Sequence, residues 1–170
     1  MTAPLRTSLR LAPLLALPLL LAGCDGGFWS GEPEHRERTD NPEILARGEH
    51  LYQQYCAACH GEDREGAENW HQPDEDGNWP PPPLDGSAHT WHHPWWQLKD
   101  MIRYGGQARG GTMPSFEEQI DEEDAEAIIS WLQSHWPDEV YEAWLDYDRS
   151  TPTPADWEEA TGREWVTHTD

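Results

Sequence analysis

Apolar side chains recur at helical spacing in three stretches of the chain, and no stretch alternates apolar and polar residues as a strand does. The first stretch follows Pro42, and the second lies between Pro94 and the pair Gly105–Gly106. The third follows Asp121, a residue type suited to cap a helix, and acids in its first turn suit the helix dipole. The pattern therefore predicts an all-α fold with three main helices.

Each predicted helix has one apolar face. Gly48 interrupts the first helix, where glycine costs about 1 kcal/mol relative to alanine, so a close helix crossing is its expected purpose. Trp95, Leu98 and Ile102 line one face of the second helix. The residues expected to form the buried stripe of the third are Ala125, Ile128, Ile129, Leu132 and Trp136.

The length of 170 residues suits one modest domain. We expect residues 1–23 to be a signal that is removed and residues 24–40 to be a flexible tether. The domain is predicted at 41–136, followed by a C-terminal extension at 137–170 that is partly disordered. Within the extension, one more short helix is predicted through Trp144.

The N-terminus has the organisation of an export signal. Arg6 and Arg10 form a positive segment, and an apolar run then continues to Cys24. This run is shorter than the roughly 20 residues of a membrane span and contains Pro13 and Pro18. The pattern favours a cleaved signal over a permanent transmembrane anchor.

The signal ends in "LAGC", Leu21 to Cys24, which resembles the lipobox of bacterial lipoproteins. The resemblance implies that Cys24 is lipidated and becomes the mature N-terminus. Several acyl chains on one residue would anchor the protein stably. Asp25 is a residue type that keeps some lipoproteins at the inner membrane, so the expected location is the periplasmic, outer face of that membrane.

The chain is strongly acidic, with 33 Asp and Glu against 11 Lys and Arg and a formal charge of −22. Such a charge argues against nucleic acid or an anionic membrane surface as a direct partner. It favours either a basic partner or a salty medium that screens the repulsion. Lys99 is the only lysine, and acidic proteins with almost no lysine resemble those of halophiles.

The stretch "YCAACHG" contains the two remaining cysteines, Cys56 and Cys59, followed directly by His60. A zinc site would need further ligands at matching spacing, and no second cysteine pair exists. A thioredoxin-like redox pair would begin a helix beside a βαβ unit, whereas this pair ends a helix in an all-helical chain. C-x-x-C-H is the attachment motif of c-type haem, and this interpretation accounts for all three residues.

From Pro42 to Trp136 the order of motifs resembles that of a class I cytochrome c. The stretches "YCAACHG", "PPPLDG", "WQLKDMIRYGG", "GTMPSF" and "EAIISWLQSHW" follow one another as the corresponding elements do in that family. Gly48 and Trp131 occupy the positions at which the family crosses its first and last helices. The resemblance implies a class I cytochrome c fold around a single haem.

The resemblance also implies how the haem c is held. Cys56 and Cys59 would form thioethers with the porphyrin, and His60 would be the proximal iron ligand. Met113 would be the distal ligand through its thioether, so both axial positions on the iron would be filled.

Further residues of the haem environment follow from the same resemblance. The carbonyl of Pro82 would accept a hydrogen bond from His60 and orient its ring, while Leu84 would pack on the haem face. Met101 is expected to be a core residue within the second helix. Three histidines could supply a rival axial ligand or a peripheral copper site, although helix-capping and loop roles are favoured: His89, His92 and His93.

The function implied is that of a single-electron carrier and not of an enzyme. The carrier would work in a respiratory-type chain, with a membrane-bound oxidase or dehydrogenase as partner, or as a subunit of such a complex. One alternative is a haem enzyme or ligand sensor in which the Met113 site is open or displaceable. Another is a copper-handling or structural lipoprotein in which the histidines are the functional residues.

Overall fold

The computed structural model describes residues 38–162. The predicted signal, Cys24 and most of the predicted tether lie outside the described residues, as do residues 163–170. Within the described part there are no strands, and none of its helices is long and apolar enough to cross a membrane. The α-helices are α1 (Pro42–Tyr55), α2 (Ala57–His60), α3 (Trp95–Tyr104), α4 (Glu122–Ser134), α5 (Asp138–Ser150) and α6 (Pro154–Thr161).

The three predicted helices begin at the residues that the sequence pattern indicated. The Asn41 side chain accepts from the backbone N–H of Glu43 (3.0 Å), and the Asp121 carboxylate accepts from that of Asp124 (2.8 Å). These bonds satisfy N–H groups that have no partner within the helix. The second predicted helix, α3, begins after Pro94 and ends at Tyr104, directly before Gly105, which has a φ of +75°.

Helices α1 and α4 cross in close contact at Gly48. A Cβ added to Gly48 would overlap the carbonyl oxygen of Ala127 and lie 2.7 Å from the Cβ of Trp131. One turn later the ring of Tyr52 packs on Trp131, with 4.8 Å between the ring centroids. The predicted packing purpose of Gly48 is confirmed, because no residue with a side chain fits at this crossing.

Two clusters of buried side chains share α4. The residues predicted to be buried on the third helix are all buried, including Trp136, which lies two residues beyond the end of α4 at Ser134. The helix stops early because Pro137 disfavours helical geometry in the residue before it. Cluster one comprises Tyr52, Cys56, Ile120, Ala125, Ile128, Trp131 and Leu132. Cluster two comprises Trp95, Ile129, Trp136, Tyr141 and Trp144.

The C-terminal extension contributes to the core. Tyr141 and Trp144 of α5 are buried in cluster two, so the packed helices continue past residue 136, where the sequence pattern placed the end of the domain. The helix also runs beyond Trp144 to Ser150. The boundary was predicted too early because the few apolar residues of this acidic segment do not reveal from sequence alone that they pack on the core.

A further helix, α6, forms in a stretch whose composition favoured disorder. Thr153 begins it with a capping box: its side chain accepts from the N–H of Asp156, and the Asp156 carboxylate accepts from the N–H of Thr153. Two N–H groups are thus satisfied locally. No residue of α6 is buried, so its local capping is the clearest source of its order.

Candidate functional site

A cavity of about 700 Å³ lies between the end of α1, the proline-rich loop, α3 and the loop before α4. Its walls are largely apolar, with Leu98, Ile102 and Phe116 among the lining residues. All of the predicted site residues that the structure describes line this one cavity: Cys56, Cys59, His60, Pro82, Leu84 and Met113.

The C-x-x-C-H segment forms a tight helical turn directly after α1. The N–H of His60 donates to the carbonyl of Cys56 (2.9 Å), and Gly61, with a φ of +83°, ends the turn. The Tyr52 hydroxyl donates to the Gly61 carbonyl (2.7 Å), which ties this end to α1. Cys56 is buried, Cys59 is exposed, and the two thiols are not joined in a disulfide. The turn therefore brings both sulfurs and the imidazole to one wall.

His60 is oriented by the proline-rich loop. Its Nδ1 lies 2.8 Å from the Pro82 carbonyl oxygen, and since a carbonyl only accepts, Nδ1 carries the proton. The Nε2 atom is then the basic nitrogen, the one suited to bind a metal. Burial lowers the pKa of His60, while the bond to Pro82 acts in the opposite sense. The ring is thereby favoured in its neutral, metal-binding form.

The loop that bears Pro82 is itself fixed by backbone hydrogen bonds. The N–H of Leu84 donates to the Arg64 carbonyl, and that of Ala67 donates to the Pro81 carbonyl, both at 2.8 Å. The loop is thus anchored on both sides of Pro82, which gives its carbonyl a defined position relative to His60.

Met113 is held against the end of α3. The N–H of Gly106 donates to the Met113 carbonyl (3.0 Å), and further along the N–H of Phe116 donates to the Arg103 carbonyl (2.9 Å). A Cβ on Gly105 would lie 2.6 Å from the Met113 carbonyl oxygen, so the glycine permits this approach. The methionine side chain is half-buried at the cavity wall.

The structure adds lining residues that the sequence motifs did not predict. Met101, expected only in the core, also lines the cavity and supplies a second thioether. His89 and His93 line it too, whereas His92 does not. Within residues 38–162 no group of three or more His, Cys, Asp or Glu side chains is arranged to hold a metal ion, so the copper alternative gains no support. Trp70, His71 and Trp79 are further lining residues that were not predicted.

The cavity fits a haem by its size and its chemistry. Ligand cavities commonly span about 300–1,000 Å³ and combine apolar walls with a few placed polar groups. Here two thiols, one oriented imidazole and two thioethers line a largely apolar cavity. These are the donors that covalent haem attachment and iron ligation use.

An all-α domain with C-x-x-C-H at the wall of such a cavity defines a c-type cytochrome. The family model described as cytochrome c oxidase, cbb3-type, subunit III matches residues 43–132, which is more than half of the chain. The chain belongs to this family of class I c-type cytochrome domains, and it carries covalently bound haem c. No curated protein and no solved structure matches the chain. Membership implies electron transfer through the haem iron, not catalysis.

Proposed function

We propose that the protein is a membrane-tethered carrier of single electrons with His60 and Met113 as the axial ligands of its haem iron. In this proposal Cys56 and Cys59 hold the porphyrin through thioethers. The observation that carries the proposal is that Met113, distant in sequence, lines the same cavity as the three C-x-x-C-H side chains.

The protein residues have three tasks at this site. The Pro82 carbonyl holds the ring of His60 in one orientation, and Leu84 supplies an apolar surface for the porphyrin face. The apolar walls exclude water, which lowers the reorganisation energy of electron transfer when the charge of the iron changes. A filled sixth position leaves none for a substrate, which is why an electron carrier is favoured over a haem enzyme or ligand sensor.

The family name and the N-terminal sequence together support a place at the bacterial inner membrane. The matched family is named for a subunit of a cbb3-type oxidase, so the proposed partner is a membrane-bound oxidase or dehydrogenase. A lipid on Cys24 would keep the haem domain near such a partner and raise its effective concentration there. The acidic surface would favour a basic docking face on the partner.

The axial ligands are tested by the visible and near-infrared spectrum of the oxidised holoprotein. We expect the charge-transfer band of an iron–thioether bond, lost in Met113→His and kept in Met101→Leu, the matched control from the same cavity. Loss of the band in Met101→Leu alone would assign the ligand to Met101. A high-spin iron that readily takes up carbon monoxide or cyanide would support the enzyme or sensor alternative.

The anchor is tested by cell fractionation. We expect the wild type in the membrane fraction and Cys24→Ala in the soluble fraction, because the variant has no sulfur to acylate. Ser30→Ala, from the predicted tether, should behave as the wild type. Membrane retention of Cys24→Ala would place the anchor elsewhere in the chain.

A further inference from the structure

Helix α5 lies beyond residues 43–132, the part of the chain that the family model matches, yet it contacts the backbone that forms one side of the haem cavity. The indole N–H of Trp144 donates to the His93 carbonyl (3.0 Å). The Asp148 carboxylate accepts from the Trp95 N–H (2.6 Å). Both hydrogen bonds are shielded from water, since Trp144 is fully buried and Asp148 is 7% exposed.

The backbone held by α5 carries three polar residues of the cavity lining, His89, His93 and Gln97, which we call the histidine wall. The rings of His89 and His93 pack edge to face, 5.5 Å apart, and the Gln97 side chain interacts with the His93 ring. His89 and His93 lie in the segment before α3, and Gln97 lies in its first turn. The two bonds from α5 are made at this junction.

The bond from Asp148 replaces a missing cap. Pro94, the residue before α3, makes no side-chain capping bond, while the N–H of Gln97 donates to the Pro94 carbonyl. The Asp148 carboxylate accepts from the first N–H of the helix, that of Trp95, from 53 residues away, and a negative charge at a helix N-terminus is favoured by the dipole. The start of α3 therefore depends on α5 for its position.

The histidine wall is also connected to the loop that orients His60. The Thr90 hydroxyl donates to the Pro83 carbonyl (3.4 Å), and Pro83 is adjacent to Pro82. The ring of Trp70 stacks on that of His89, with 5.7 Å between the centroids, which joins the wall to the loop that precedes the proline-rich segment. A displacement of the wall would thus reach both the cavity rim and the surroundings of the proximal ligand.

We propose that Trp144 and Asp148 are positioning residues that hold the histidine wall against the haem and so keep the reduction potential of the iron high. Oxidised haem carries one more positive charge than reduced haem. A loosened wall admits water, which stabilises the charged form, so the potential must fall. This inference rests on the haem occupying the cavity and is independent of the lipid anchor and of the identity of the sixth ligand.

The first test is the reduction potential of the holoprotein by spectroelectrochemical titration. Trp144→Phe keeps a buried aromatic ring but removes the N–H that bonds to His93, and we expect a lower potential than in the parent. Trp157→Phe makes the same chemical change on α6 and should leave the potential unchanged. A role in stability alone would lower the unfolding temperature of Trp144→Phe without moving the potential of the folded protein, and that result overturns the proposal.

The second test uses Asp148 and decides the matter even if Trp144→Phe does not fold. Asp148→Ala and Asp148→Asn lose the same negative charge, but only Asp148→Asn retains an acceptor oxygen for the Trp95 N–H. Because the loss of charge raises the potential in both variants, their difference isolates the bond, and we expect the lower potential in Asp148→Ala. Equal potentials in the two folded variants contradict the proposal. The axial-ligand spectrum of each variant separates this outcome from a failure of the proposed iron ligation.

Discussion

The two core clusters both include residues of α4 but are built in different ways. Cluster one depends on backbone proximity, because Gly48 lets α1 approach α4 until the carbonyl of Ala127 lies where a side chain would be. Cluster two depends on large rings, with 5.5 Å between Tyr141 and Trp144 and 6.2 Å between Trp136 and Trp144. The first is a close fit between helices, and the second is an aromatic layer.

The indole N–H groups of cluster two form hydrogen bonds to particular carbonyls, which ring packing alone does not provide. Trp136 donates to the Leu84 carbonyl and Trp144 donates to the His93 carbonyl, both at 3.0 Å. Each bond ties a buried tryptophan to a segment that lines the cavity. The comparison shows that cluster one packs against the helix leading to the attachment motif, while cluster two is bonded to the backbone of Leu84 and His93, which line the cavity.

The largest expected effect is that of removing a buried ring from cluster two. Trp144→Ala should lower the free energy of unfolding by about 3–5 kcal/mol, because a fully buried indole leaves a cavity and an unpaired carbonyl. Denaturant unfolding of the holoprotein measures this. Tyr147→Ala on the exposed side of α5 should cost much less, and equal costs would show that cluster two is not part of the cooperative core.

A smaller effect is expected at the crossing in cluster one. Gly48→Ala gains helix propensity but overlaps the Ala127 carbonyl, so we expect a net loss of about 1–3 kcal/mol in unfolding free energy. Glu49→Ala, on the exposed side of the same helix, should change stability by no more than about 0.5 kcal/mol. A stabilised Gly48→Ala protein would mean that the two helices can separate without loss.

The smallest effects should distinguish a helix of the core from one outside it. Asp121→Ala removes the cap of α4 and should cost about 1 kcal/mol of global stability. Thr153→Ala removes the cap of α6, which buries no residue, and should increase local amide exchange there without changing the global transition. A global loss from Thr153→Ala would show that α6 unfolds together with the core.

The predicted parts of the site are those that neighbouring residues specify. The turn after α1 follows from the helix before it and from Gly61 after it, and the capping residues Asn41 and Asp121 act within three residues of themselves. The order of the motifs then sufficed to predict the family and its haem. The ligand roles of His60 and Met113, and the lipid on Cys24, stay predictions.

The parts that sequence did not predict depend on contacts between distant residues. Met101 was assigned to the core because its helical position gave no sign that its face borders a cavity. The place of α5 was hidden because the bond between Asp148 and the Trp95 N–H joins residues 53 positions apart. No periodicity along the chain reports such a pair.

The sequence by itself determined the three main helices, the caps of α1 and α4, the attachment motif and the class of cofactor, since each is encoded by residues within a few positions of one another. Tertiary structure decided which further side chains line the cavity and that α5 supports the histidine wall. The physical reason is that burial and long-range hydrogen bonds are properties of the packed chain. Local patterns specify the elements, and packing alone selects the neighbours of each one.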